Sequence, residues 1–304
     1  MFVCHATAVV APQVQSDARL RAAQAEINAA RALEAMGRYV DARVRAEHGL
    51  ALQEAVLGST HLEVARSLEL VGDLCRQQGD LSHAEPSLQR ALRLREAALG
   101  KDHPDVATSL SSLANLYRTR GAYSRAKSLH QRALAIRETS LGPNHPRVAD
   151  SINNLALIYS KQGLYTQAEP LYRRVLAIRE AAADVNGLDV ATSLCNLSIH
   201  YWQQGLYAKA EPLQLRALAS REVALGANHP DVASSLTSLA DLYADQGMYR
   251  QAEPMYQRAL TINEAILGEQ HPSVAVVLNN LALLFFEQGL YSQAEPLHLR
   301  ALAI

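Results

Sequence analysis

Histidine is the residue type whose spacing most invites a chemical interpretation in this sequence. Five histidines stand at multiples of 42 residues from one another: His61, His103, His145, His229 and His271. Zinc binds histidine nitrogen, and it needs several ligands at about 2 Å. Stacked helices lie about 8–10 Å apart, so one histidine per repeat cannot converge on one ion. We therefore predict no metal site, and we expect each histidine to lie in a loop that settles the next helix start.

Cysteine offers a second possible chemistry. Cys4, Cys75 and Cys195 lie far apart and show no pairing pattern, and such a count indicates a reducing compartment. We predict that Cys75 and His200 are packing residues, and that Cys195 is a weakly reactive thiol on an exposed wall. The sequence contains no phosphate-binding loop, no nucleophile elbow and no recurring carboxylate pair. We therefore expect no catalytic residue, no cofactor and no enzyme activity in this chain.

The elements that carry these residues are periodic. The phrase "QGLYTQAEPL" at Gln162 returns with few changes at Gln204, Gln246 and Gln288, a step of 42 residues, and weaker copies extend back to Gly37. A fixed period of about 20 to 50 residues is typical of repeat arrays. We predict an N-terminal segment, residues 1–19, and one repeat domain, residues 20–304, with seven 42-residue repeats of which the last is truncated.

Each repeat has the pattern of a helical hairpin. In residues 103–142, apolar positions such as Val106, Leu110 and Tyr117 are three, four or seven residues apart, which is typical of a helix. Pro104 favours the first turn, and Gly121 separates a second helix from the first. Hairpins are predicted to begin near residues 20, 62, 104, 146, 188, 230 and 272. Six of the seven repeats have a tyrosine just after the turn, and these tyrosines are predicted to be core: Tyr39, Tyr123, Tyr165, Tyr207, Tyr249 and Tyr291.

Stacking such hairpins buries the apolar faces that a single hairpin leaves uncovered. We predict an all-α fold, a right-handed superhelical solenoid of about seven helix-turn-helix repeats with a concave wall. The loop "AADVNGLD", Ala182 to Asp189, lacks the capping glycine and the His-Pro pair of the other loops. It should therefore exchange its amides fastest. The seventh repeat stops at Ile304 without a polar cap, which favours a longer native protein with further repeats, an effector domain or both.

The charge balance argues against several classes of partner. The chain has 29 Lys plus Arg and 30 Asp plus Glu, so it has no basic surface of the kind that binds nucleic acid. No apolar run is long enough to span a membrane, and the start lacks a basic signal-peptide region. We predict no nucleic-acid or membrane partner, and a cytoplasmic location.

One segment carries a family resemblance almost throughout its length. "HPRVADSINNLALIYSKQGLYTQAEPLYRRVLAIRE", from His145, resembles the tetratricopeptide repeat in its 42-residue, kinesin light chain-like form, and the resemblance covers about residues 20 to 304. It implies a binding platform with a protein or peptide partner. Two functions stay open. One is a protein-protein interaction module that binds a segment in its concave groove. The other is a regulatory or sensor domain of a larger effector, because bacterial arrays of this class are joined to caspase-like proteases or nucleotide-binding switch domains.

The first helix of each repeat is predicted to line the groove, because its polar side lies opposite its core side. Asparagines recur there, and an amide can both donate to and accept from a peptide backbone: Asn153, Asn154, Asn196, Asn279 and Asn280. The resemblance implies the same gripping role. The alternative is a hydrogen bond between helices that only fixes repeat stacking.

Charged and apolar side chains divide the rest of the predicted wall. Arg118 and Lys161 lie in the N-terminal half. The C-terminal half carries large apolar residues: Leu157, Ile199, Trp202, Leu283 and Phe286. Such residues on an exposed wall favour an anchor site for a partner's apolar side chains. Local packing against a neighbouring helix is the alternative.

Overall fold

The computed structural model describes residues 7–182 and 187–304. Within these ranges the chain forms fourteen helices and no strand: α1 Thr7–Ala35, α2 Tyr39–Leu57, α3 Leu62–Gln77, α4 Leu81–Leu99, α5 Pro104–Thr119, α6 Tyr123–Leu141, α7 Pro146–Lys161, α8 Tyr165–Ala181, α9 Leu188–Trp202, α10 Tyr207–Leu225, α11 Pro230–Ala244, α12 Tyr249–Leu267, α13 Pro272–Glu287 and α14 Tyr291–Leu302. The predicted all-α class and the helix-turn-helix repeats are confirmed.

The predicted hairpin starts agree with the structure from the second repeat onward. The first helices α3, α5, α7, α9, α11 and α13 begin at residues 62, 104, 146, 188, 230 and 272. The first repeat differs, because α1 already begins at Thr7 rather than near residue 20. One helix therefore runs across the predicted division between an N-terminal segment and the repeat domain.

The helices belong to two compact units. Unit 1 contains α1 to α7 and ends at Gln162, and unit 2, Gly163–Ile304, contains α8 to α14. In unit 1 the hairpins α1–α2, α3–α4 and α5–α6 pack in sequence, and α7 packs on α6. In unit 2, α8 packs on α9, and the hairpins α9–α10, α11–α12 and α13–α14 follow in the same order.

The recurring histidines cap the first helices, which confirms their predicted loop role. His103 precedes α5, and its Nδ1 accepts a hydrogen bond from the backbone N–H of Asp105 at 3.1 Å. The same bond occurs at the start of α3, α7, α11 and α13. The cap satisfies a backbone donor that the first turn leaves without a partner. Helix α9 is preceded instead by Gly187, which has φ +64° and offers no side-chain cap.

The helices of a hairpin approach closely through small residues. Ala114 of α5 and Ala126 of α6 are fully buried. The predicted role of the turn tyrosines is wrong at the two ends of the series, because Tyr39 is 38% and Tyr291 62% exposed. The other four turn tyrosines are half-buried. Each opens a second helix, where its ring lies at the edge of the hairpin rather than inside it.

The buried aromatic position lies instead near the end of the first helix. Tyr243 of α11 is buried, and its hydroxyl donates to Glu211 of the preceding hairpin at 2.8 Å. Tyr117 makes the matching bond to Glu85. The glutamate of the repeated "AEP" phrase thus ties its repeat to the next one where a tyrosine faces it, as it does at Glu85, Glu169 and Glu211.

Arginines near the ends of the second helices form a second tie between repeats. Arg95 and Arg221, near the ends of α4 and α10, donate to Ser109 and Ser235 of the next first helix at 2.9 and 2.7 Å. The last repeat lacks the pair at the matching positions, where Asn263 and a buried Val277 stand instead. An arginine buried without its serine acceptor would destabilise the fold. The absence of both residues from the same repeat boundary is therefore consistent with their pairing.

Candidate functional site

The predicted wall residues of unit 1 lie on α5 and α7. Arg118 is half-buried near the end of α5, and its Nε is buried without a hydrogen-bond partner among the described residues. Asn153, Asn154 and Leu157 are half-buried on α7, and Lys161 is exposed at its last position. Together they offer a wall of mixed polarity with two cationic side chains.

The predicted wall residues of unit 2 lie on α9 and α13. Asn196, Ile199 and Trp202 are half-buried on α9. On α13, Asn280 is half-buried, and three further positions are exposed: Asn279, Leu283 and Phe286. Leu283 is 49% and Phe286 53% exposed, and these are large values for apolar side chains.

Trp202 and Leu283 lie on the same pocket, a cleft of about 230 Å³ in unit 2. Asn280 and Ala244 of α11 also line it. The sequence carries a signal for this cleft, since Ala244 occupies the repeat position that holds Trp202 one repeat earlier and Phe286 one repeat later. A small residue where the neighbouring repeats have an aromatic ring leaves room for a side chain from outside. We call this cleft the α9–α13 pocket.

Phe286 does not line the α9–α13 pocket. Its ring packs edge-on against Tyr291, the first residue of α14, with ring centroids 5.2 Å apart. Asn196, Ile199 and Asn279 are also absent from the pocket lining. Of the predicted unit 2 residues, the structure thus brings Trp202, Asn280 and Leu283 together and leaves the other four outside the pocket lining.

Three acidic residues line the pocket, and sequence reasoning missed them. Asp241 and Asp245 come from α11 and the residue after it, and Glu287 ends α13. The signal for Asp241 was available, because it interrupts an apolar row formed by Leu157, Ile199 and Leu283 at the repeat spacing. Asp245 accepts a hydrogen bond from the Trp202 indole Nε1 at 2.7 Å, which orients the ring.

Asp241 is the half-buried member of this group, whereas Asp245 and Glu287 are exposed. Its Oδ1 accepts hydrogen bonds from the Tyr256 hydroxyl and, at 3.0 Å, from Asn280 Nδ2. Burial raises the pKa of Asp241, and these two hydrogen bonds oppose that rise. Burial also raises the pKa of Tyr256, and the Asp241 charge adds to that effect, so the phenol stays a donor. Tyr256 lies on a second helix, where the wall pattern gave no reason to look for it.

The bond from Asn280 to Asp241 bears on the predicted role of the asparagines. It joins α13 to α11, the first helix of the preceding repeat. Ser112 makes the corresponding bond to Asp73 in unit 1 at 3.1 Å. At these two positions the polar side chain of the first helix therefore contributes to repeat stacking. The asparagine amide still has a second N–H and a carbonyl oxygen.

The two cysteines inside the described ranges are buried thiols. Cys75 has no exposed surface, as predicted, and Cys195 is 9% exposed. The prediction of a surface thiol at Cys195 is wrong, because the side chain packs with Leu194 and Ala217 between α9 and α10. Burial raises the pKa of both thiols, which lowers their reactivity. His200 is buried as predicted, with its ring beside Tyr172 and Tyr201.

No group of three or more His, Cys, Asp or Glu in the described part of the chain is placed to hold a metal ion. Within the same residues, no helix combines the length and apolarity needed to cross a membrane.

Two family models match the sequence. The model described as the nephrocystin-3 TPR domain matches residues 38–199, and a tetratricopeptide-repeat model matches residues 189–265 and 238–304. No curated protein sequence matches the chain.

Several solved structures are similar to this one. BtubC (BKLC) from P. vanneervenii is 25% identical, with a TM-score of 0.59 over 83% of this chain and 92% of that one. Nearly identical TPR-like repeats of a P. anserina kinesin light chain are 24% identical, with a TM-score of 0.56 over 67% and 97%. A signal-transduction ATPase with a tetratricopeptide-repeat sensor from Pyrococcus horikoshii is 16% identical, with a TM-score of 0.64 over 92% and 42%.

Proposed function

Because the chain belongs to the tetratricopeptide-repeat family that the nephrocystin-3 TPR domain represents, we propose that it binds a peptide or protein segment along the first helices of its repeats. One observation carries this proposal. Leu283 and Phe286 expose about half of their apolar side chains next to the α9–α13 pocket. Surfaces of this kind are typical of interaction sites, where a few aromatic and aliphatic anchors supply most of the affinity.

The asparagines of the first helices supply the polar part of the proposed site. Asn280 uses one N–H on Asp241, and its other N–H and its carbonyl oxygen can pair with a peptide backbone. Asn154 and Asn196 hold the same repeat position on α7 and α9. Backbone pairing would hold an extended segment whatever its sequence, while the apolar residues select its side chains.

The proposal is tested by a map of the bound surface. Proteins captured with the full chain as bait are identified by mass spectrometry, and each purified candidate is then bound while amide hydrogen exchange is measured. We expect slower exchange in α9, α11 and α13, with little change in α10 and α12. Protection restricted to the second helices or to the hairpin turns would contradict the proposal.

A pair of variants separates the two faces of the repeats. Leu283→Gln removes an exposed apolar residue from α13, and Val223→Gln removes one from α10, where Val223 is 90% exposed. We expect Leu283→Gln to weaken binding and Val223→Gln to leave it unchanged. Equal effects of the two substitutions would indicate non-specific apolar contact.

A further inference from the structure

The polarity of the α9–α13 pocket indicates the chemistry of its occupant. Helices α9, α11 and α13 contain no lysine or arginine. By contrast, α3, α5 and α7 of unit 1 each carry at least one. The pocket is therefore lined by three acidic side chains and by no lysine or arginine.

These carboxylates have no charge partner within the described chain. The ion pairs of unit 2 use other acidic residues, mainly along the second helices: Glu169, Glu180, Glu222, Asp231, Glu264 and Glu269. Asp245 and Glu287 are exposed, so their negative charge is available to an incoming group. Tyr256 and Asn280 both donate to Oδ1 of Asp241, and its Oδ2 can accept a hydrogen bond from another donor.

The ring of Trp202 adds a second attraction for a cation. Its Nε1 is held by Asp245 at 2.7 Å, so the indole is fixed at the pocket edge. An indole face attracts arginine or lysine more strongly than the other aromatic rings do. A cation beside it would also pair with the carboxylate that orients the ring, and arginine can do so with two parallel hydrogen bonds.

The size of the pocket suits a single side chain of a partner. Its volume of about 230 Å³ lies below the roughly 300–1,000 Å³ of typical small-molecule sites. Leu283, next to the carboxylates, offers an apolar surface for a second residue. In an extended segment, residues i and i+2 lie on the same side.

We propose that the α9–α13 pocket receives an arginine or lysine side chain of a partner segment, with an apolar side chain of the same segment on Leu283. This inference rests on the proposed function, because it names the chemistry of the segment bound along the first helices.

The probe for the test is a blocked peptide with one leucine and one arginine two residues apart in an alanine–glycine background. Matched peptides carry citrulline, which is neutral and isosteric, or glutamate in place of arginine. Trp202 is the only tryptophan in the chain, so its fluorescence reports binding directly. We expect the arginine peptide to bind at least about fivefold more tightly than the citrulline peptide, and added salt to reduce that difference.

Three variants of the full chain locate the charge. Asp245→Asn and Glu287→Gln remove a pocket carboxylate, and Asp231→Asn removes an exposed one at the start of the same helix, α11, outside the pocket. We expect each pocket variant to weaken binding of the arginine peptide by about threefold or more, and Asp231→Asn to leave that binding unchanged. The affinity of the citrulline peptide should be the same for all three variants as for the wild type.

Two outcomes would overturn the inference. Binding of the citrulline or glutamate peptide as tight as that of the arginine peptide would remove the cationic requirement and leave the proposed function standing. No response of Trp202 to the arginine peptide at about 10 mM would exclude the pocket as a cation site. The proposed function is tested separately by the exchange map, and it fails if a bound partner slows amide exchange on a surface other than the first helices.

Discussion

Replacement of His130 by leucine should reduce the acid sensitivity of unit 1. His130 lies on α6, has no exposed surface, and neither of its ring nitrogens has a hydrogen-bond partner among the described residues. Burial, with smaller contributions from the charges of Arg118 and Arg137, lowers its pKa to about 4. Leu88 occupies the same position one repeat earlier and is also fully buried, so the site accepts leucine.

The magnitude follows from the difference between the folded and unfolded states. An unfolded histidine titrates near pH 6.5, whereas His130 in the folded chain titrates near pH 4. Between these values the unfolded state binds more protons, so stability falls as the pH falls through that window. From pH 7.5 to pH 5.0 the loss attributable to His130 is about 2 kcal/mol. Above pH 7 this contribution disappears.

Urea unfolding of the full chain at the two pH values, followed by far-ultraviolet circular dichroism, measures the effect. We expect the wild type to lose about 2 kcal/mol more than His130→Leu between pH 7.5 and pH 5.0. His298→Leu is the matched control for the histidine-to-leucine change, because His298 holds the same repeat position on α14 but keeps contact with solvent. An equal loss in the wild type and in His130→Leu would refute the assignment of acid sensitivity to this ring.

Three further predictions concern repeat stacking and the loop between the fourth and fifth repeats. Tyr243→Phe removes the hydroxyl bonded to Glu211 and should cost about 1 kcal/mol of unfolding free energy in urea titration; no change would show that the bond is replaced by water at no cost. His103→Ala removes the α5 cap and should cost about 1 kcal/mol by the same measurement, whereas a neutral result would contradict a capping role. Amides near Gly187, where the cap is missing, should exchange faster than those of the other inter-repeat loops, and equal protection across all loops would count against this; residues 183–186 of this loop lie outside the described residues.

Much of the fold follows from the period of the sequence. A helix start such as Pro230 could be placed to the residue because the same His-Pro pair recurs at a fixed step, and a repeat constrains every copy at once. The capping role of the histidines was also predictable, because the residue just before a helix that starts with proline occupies the N-cap position. By contrast, α1 extends past the predicted first repeat, where no copy of the phrase exists to mark its start.

The candidate site was predictable only in part, because it depends on which side chains meet between helices. Trp202 and Leu283 stood out as apolar residues on a polar face. Tyr256 approaches Asp241 from a second helix, and a pattern confined to first helices cannot show such a contact. Phe286 lies outside the pocket lining and packs on Tyr291, which the pattern assigned to the core. The burial of Cys195 was missed for the same reason, since helical spacing alone does not show how closely a neighbouring helix packs.

The most direct test of the central claim is the affinity of a purified partner for the wild-type chain and for Trp202→Ala. The aromatic ring lines the pocket on the first-helix face, and loss of a buried anchor typically costs about 2 kcal/mol or more. We therefore predict that the dissociation constant rises by roughly 30-fold while far-ultraviolet circular dichroism stays unchanged. A dissociation constant within error of the wild type, with the fold intact, would assign Trp202 to local packing and contradict binding at this face.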